Sequence, residues 1–143
     1  MREALLTIHI LGVALWLGGG MYSVFTMPAI ARMSSLRGAF SVDEAVGGKY
    51  FGVAHGLVIL SGIGLVLDSA AIGWGTAFVL IGIGVFIISM VLEGAVFGPR
   101  LKRMAESGDN DIDGAVRLHR FAALFNVLLL GFAIWVMVAR LGL

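Results

Sequence analysis

Four apolar stretches divide the chain, at about 5–31, 50–67, 74–97 and 121–138, each near the roughly 20 residues that a helix needs to cross the hydrocarbon of a bilayer. The runs are continuous and do not alternate as barrel strands do, so the backbone has to satisfy its own N–H and C=O groups as helix. The expected fold is therefore all-α, a single integral membrane domain built as a four-transmembrane-helix bundle. Composition agrees: 59% of the 143 residues are apolar and 13% charged, a balance that no single soluble core of this size can hide. Lipid is the expected partner of most of the surface. A homodimer or a larger membrane complex is left open, and nothing in the charge pattern points to nucleic acid. With no cysteine, disulfides, thiolate metal sites and a cysteine nucleophile are excluded.

The basic residues set the expected orientation. Arg2 and Arg140 lie at the chain ends, whereas Arg32, Arg37, Lys49, Arg100, Lys102, Arg103, Arg117 and Arg120 lie in or beside the first and third connections. Short cytoplasmic loops retain the excess of Lys and Arg, so those connections are expected in the cytoplasm and both termini outside. The first apolar run is long and Gly-rich with no small-x-small cleavage site before Pro28, and is read as a retained helix. The short segment Asp68 to Gly73 predicts an antiparallel hairpin of the second and third helices. In the third connection, Asp109, Asn110, Asp111, Asp113 and Gly114 faintly suggest a calcium loop, but the spacing and the terminal bidentate Glu are missing, which favours a solvated linker.

Ionisable and polar residues at membrane depth are costly and are default site candidates. His9 is expected near the outer face; His55, Glu93 and His119 are expected toward the cytoplasm. Asn126 follows His119 by seven residues, two turns deeper on the same helical face, and Tyr22 is placed at a similar level. With Ser89 one turn before Glu93 and Gly82 extending that face, these residues are read as the lining of an inner polar pocket. Two imidazoles at matching depth can ligate one iron, so His55 and His119 are the expected axial ligands of a haem b. His9 is too far to join them. Plainer readings stay open: His119, between Arg117 and Arg120, as part of a basic rim, and Glu93 as an ion-pair partner of Arg100 or Lys102. Gly48, Gly52 and Gly56 at every fourth position read as close helix packing first and a dimer face second. Gly18, Gly19 and Gly20 are read as loosening the first helix below Trp16.

The stretch from His9, H-x-x-G-x-x-x-W-x-G-G followed by Tyr22 and Pro28, resembles the first helix of a group that includes the copper-resistance D membrane domain, the DUF2269 integral membrane proteins and the HemJ-type protoporphyrinogen oxidases. The resemblance extends over the whole chain: Arg120, Phe121, Phe125 and Asn126 resemble the last HemJ-type helix, and Gly98, Pro99 and Arg100 look more like the DUF2269 proteins. It implies a small bacterial inner-membrane protein in which His9 serves haem or a porphyrinogen site and Asn126 is the final-helix asparagine. The chain departs from the HemJ pattern at Ala29, at Trp74, Gly75 and Thr76, and at Val127, where that group carries an arginine, a lysine and an acid. For the copper-resistance branch the implied role is copper passage, but Met21, Met27 and Met33 recur at six residues and walk around a helix instead of lining one face.

These readings give a haem b or related tetrapyrrole protein acting in electron transfer or porphyrin oxidation, a haem-dependent membrane oxidoreductase if an enzyme. His55, His119, His9, Asn126 and Tyr22 would serve the cofactor and Glu93 a proton or ion path. The rival readings are a transporter of copper or another small solute, with a path from His9 to Glu93 and His55, and an accessory subunit without chemistry of its own. Hydrolysis is disfavoured, because no nucleophile lies beside a base and the loops are too short for a substrate-binding lid.

Overall fold

The computed structural model describes residues 1–33, 35–107 and 111–139; Asp109, Asn110 and Arg140 lie outside the described residues. The described chain is helical throughout: α1 (Arg2–Met33), α2 (Leu36–Val42), α3 (Gly48–Leu67), α4 (Ala77–Val91), α5 (Gly98–Glu106) and α6 (Ile112–Ala139). A π-helical turn, Asp43–Gly47, joins α2 to α3, and a second, Leu92–Phe97, joins α4 to α5. The result is four long helices, Arg2–Met33, Leu36–Leu67, Ala77–Glu106 and Ile112–Ala139, each long and apolar enough to cross a membrane. They extend past the apolar runs, because segments read as connections, 36–49 and 98–106, are helical. Ser35 caps α2 by accepting the Gly38 N–H at 3.0 Å, satisfying one of the orphan donors of a helix start.

Packing follows the small residues. The position of a Cβ on Gly12 would lie 2.9 Å from Val58 Cγ2 and 3.1 Å from the Val58 backbone nitrogen, so glycine lets α1 and α3 touch backbone to backbone. Gly64 receives Leu5, Gly19 receives the Tyr50 ring, Gly20 faces Val127 and Gly82 faces Met137. The Tyr50 hydroxyl crosses to α1 and donates to the Leu15 carbonyl at 2.8 Å. α3 thus packs chiefly on α1, α1 on α6, and α6 on α4, while α2 and α5 meet at the end that carries the basic residues, the basic end. The hairpin partners α3 and α4 are neighbours in sequence but lean on other helices.

Two separate cores result. At the basic end Ala31, Leu36, Ala39, Leu101, Ala105 and Val116 form one cluster. Further along, Trp16, Ala54 and Leu130 form a second, with Phe51, Val58 and Phe86 packed against it. Large apolar side chains such as Phe25, Leu60, Leu67, Leu128 and Val138 point outward, which only a lipid solvent accommodates at this density. Gly12→Ala should therefore overpack the α1–α3 contact and cost about 1–3 kcal/mol, whereas Gly18→Ala, which enters open space, should be neutral. Unfolding of both variants in mild detergent, followed by far-UV circular dichroism, measures the difference.

Candidate functional site in the polar layer

Between the two cores lies a layer where polar side chains from several helices meet, with Asn126 of α6 at its centre. Its amide nitrogen donates to Glu93 Oε1, and its amide oxygen accepts from the Ser89 hydroxyl at 3.2 Å. Ser89 precedes Glu93 by one turn and shares its face, so α4 and the second π-turn grip both ends of one amide. Glu93 itself is exposed at the side of the bundle, opening this network toward the surrounding lipid. The Arg32–Asp113 contact at 3.7 Å, between exposed side chains, is the only ion pair among the described residues; Glu93 is held by Asn126 and has no basic partner.

Each π-turn carries an acid in its first turn, Asp43 and Glu93. In the second, the Gly98 N–H bonds the Glu93 carbonyl, and the position of a Cβ at residue 98 would lie 2.7 Å from that oxygen. Glycine is what permits the approach. In the first, the Gly48 N–H bonds the Asp43 carbonyl, and the Asp43 carboxylate folds over Gly47, Oδ1 lying 3.1 Å from where a Cβ would stand. The local sequence repeats as acid-x-Ala-Val-x-Gly, Asp43 to Gly48 and Glu93 to Gly98. π-Turns inserted in α-helices recur at functional sites because the extra residue re-aims the side chains around it.

Asp43 is the site residue that reading the sequence missed. It lies in a stretch with Arg37, Glu44 and Lys49 that reads as a cytoplasmic loop, and the repeated acid-x-Ala-Val-x-Gly pattern is the signal that marks it. It is close enough to His119 and Glu93 for their charges to act on one another, without a direct ion pair. His119 is buried on α6, with Nε2 3.3 Å from the Ser23 carbonyl. A carbonyl can only accept, so Nε2 carries the proton. Pro28 interrupts the α1 ladder at the neighbouring Val24 carbonyl.

The other two histidines stand elsewhere along α1. His55 sits in an aromatic collar, its ring centroid 4.4 Å from Trp16, 5.5 Å from Phe86 and 6.1 Å from Phe51. Its Nε2 is buried without a hydrogen-bond partner. His9 Nδ1 lies 3.1 Å from the Val58 carbonyl and 3.0 Å from Ser61 Oγ, a donor that ties α1 to α3. His9, Trp16 and Ser23 recur every seven residues, so the three imidazoles form a column along α1 with steps of about 10 Å.

The structure does not bring His55 and His119 together. They meet α1 at Trp16 and at Ser23, about two turns apart, because α6 begins at Ile112 and α2 at Leu36, so depths counted from the apolar runs alone do not match. His119 Nε2 is also taken by Ser23. This pair does not fit two axial positions of one haem; His55 Nε2 is the buried side-chain nitrogen left without a hydrogen-bond partner among the described residues. Among the described residues, no group of three or more His, Asp or Glu side chains converges as a metal site.

Two hollows flank the layer. A small one of about 20 Å³ touches Gly20, Phe51, Glu93 and Asn126, room for one water. A lateral groove of about 490 Å³ runs between α1 and the first π-turn, lined by Tyr22, Met27, Asp43, Val46, Tyr50 and Phe51 among others. Tyr22, 70% exposed, belongs to this groove and not to the Asn126 network.

No protein-family profile, no curated protein and no solved structure matches the chain. Asn126→Asp replaces the donor facing Glu93 with a second carboxylate. The variant should unfold several degrees earlier than the native protein at pH 8, and the gap should close at pH 5 as one carboxylate takes a proton. Thermal unfolding in detergent at both pH values reads this out.

Proposed function

We propose that the chain is a proton-linked carrier of a small solute, set in a bacterial inner membrane with its basic end in the cytoplasm and both termini outside. The observation that carries this reading is that Asp43 lies within charge interaction of both His119 and Glu93, with Glu93 bonded to Asn126, in an otherwise apolar bundle. Ionisable groups at this depth are costly and mark ion or substrate pathways. Their arrangement suits proton exchange. Glu93 and Asp43 interact as like charges, and a single proton shared between the two acids relieves that repulsion. His119 adds a third proton site, and the Glu93 side of the network opens laterally. The column of imidazoles from His119 through His55 to His9 extends titratable groups toward the other end. Orientation follows from the bias of Lys and Arg, and the inner-membrane setting from the resemblance in the first and last helices.

The test uses proteoliposomes with a trapped pH-sensitive dye and an imposed pH gradient, challenged with a mixture of small metabolites and cations. Protein-dependent proton flux that appears on adding solute and is lost in Glu93→Gln is the expected result. No solute-dependent flux above empty liposomes overturns the carrier reading.

A second reading is favoured by one observation, the buried Nε2 of His55 without a partner. Together with the resemblance it supports haem b or a related tetrapyrrole held through His55 for electron transfer or porphyrin oxidation. When bound, haem would supply one-electron chemistry, and His55 would hold it among Trp16, Phe51 and Phe86. An absorption spectrum of protein purified from haem-supplied cells decides this: a near-stoichiometric Soret band that vanishes in His55→Ala supports it, and a colourless protein removes it.

A further inference from the structure

The lateral groove is distinct from the Asn126 network and has an acid of its own, Asp43. It extends along α1 from Gly18 to Ile30, about 18 Å at the rise of a helix, and its volume of about 490 Å³ is that of a drug-sized ligand site. Tyr50, bonded to Leu15, closes one end. Met27 and Ala39 are buried in its floor, while Tyr22 and Val46 stand exposed at its rim. Asp43 is the one carboxylate in the lining, and no Lys, Arg or His shares the wall. Among the described residues no hydrogen bond from the protein reaches that carboxylate. Tyr22, Tyr50 and Phe51 supply aromatic rings that attract a cation. The hydroxyls of Ser23 and Thr26 are already spent on the carbonyls of Gly20 and Tyr22, which leaves few free donors for an anionic or strongly polar head.

Resting on the carrier reading, we propose that this groove is the substrate site and that its substrates are lipophilic cations, which enter sideways from the leaflet at the basic end. The apolar length of the groove takes the body of such a molecule. Asp43 takes its charge, flanked by the rings of Tyr22 and Tyr50. The exchange balances in charge: a cation that settles against Asp43 replaces the proton shared by Asp43, His119 and Glu93, and that proton leaves to water. The groups facing Asp43 are Tyr22 from α1, His119 from α6 and Glu93 from the second π-turn. On its own helix Arg37, Glu44 and Lys49 are exposed, as are Arg100, Lys102 and Arg103 on α5. A protonated His119 opposes an incoming cation just as a protonated Asp43 fails to attract one, so both favour binding at higher pH.

The experiment is equilibrium dialysis of radiolabelled tetraphenylphosphonium against the purified full chain in mild detergent, at pH 5.5 and pH 8, with proton release followed in weakly buffered solution. Saturable binding should tighten about tenfold or more between the two pH values and release protons. Asp43→Asn, nearly isosteric, should lose that affinity and its pH dependence, and Val46→Trp, at an exposed rim position, should block the groove while helicity and size-exclusion profile stay native. Equal binding by Asp43→Asn, or equal binding of the neutral analogue tetraphenylmethane, overturns the proposal and leaves a groove for lipid chains alone. Binding without proton release overturns the carrier reading and keeps the ligand class. Solute-dependent proton flux in liposomes with no tetraphenylphosphonium binding overturns the ligand class and keeps the carrier.

Discussion

A carboxylate and an amide set among apolar helices need partners from the protein itself, and the bundle is arranged around meeting that need. Asn126 gives its donor to Glu93 and takes the Ser89 hydroxyl, so one side chain satisfies two others on the facing helix. An interhelical hydrogen bond of this kind contributes only about 0.6 kcal/mol on average. Its value lies in direction. It fixes how α6 is rotated against α4, which in turn aims His119, seven residues before Asn126, at the Ser23 carbonyl of α1. The polar layer therefore sets the register of three helices that apolar contacts alone would leave free to slide.

Glycine supplies the complementary freedom. Where Gly12 meets Val58 and Gly64 meets Leu5, the backbones of α1 and α3 approach closely enough for His9 to reach the Val58 carbonyl. At Gly48, Gly52 and Gly56 an added Cβ would meet nothing within 4 Å, so these positions do not need glycine for a close approach. The close packing expected from their fourfold spacing is thus provided by other glycines of the chain.

Much of the architecture is legible in the amino-acid order, because hydropathy acts over twenty residues and averages out local exceptions. Four spans follow from it. Glu93, Ser89 and Asn126 stand out for the same reason, as polar residues in apolar runs. Asp43 and the depth of His119 do not, since amphipathic helix continues past each span where charged residues lower the hydropathy. Leu36, Ala39, Leu101 and Ala105 are buried although Arg37, Lys102 and Arg103 lie among them. A one-sided pattern in a short charged segment reads as loop until its buried face is seen. Tyr22 departs from its expected place for a different cause: its level along α1 is set by sequence, but whether it faces α6 or the first π-turn depends on rotation, which only packing decides.

The π-turns also divide labour within a single continuous helix. One additional residue turns everything downstream by about 100° and advances it by about 1.5 Å, so Leu36 and Ala39 address the core at the basic end while Ala54 faces Trp16 on another side. Drawing the inserted residue back into ordinary α-helix would swing Asp43 or Glu93 by that same angle relative to the rest of its span, without breaking the rod. The two acids sit, in mechanical terms, on the teeth of a gear: a single step of backbone register is enough to present each carboxylate to a different neighbour.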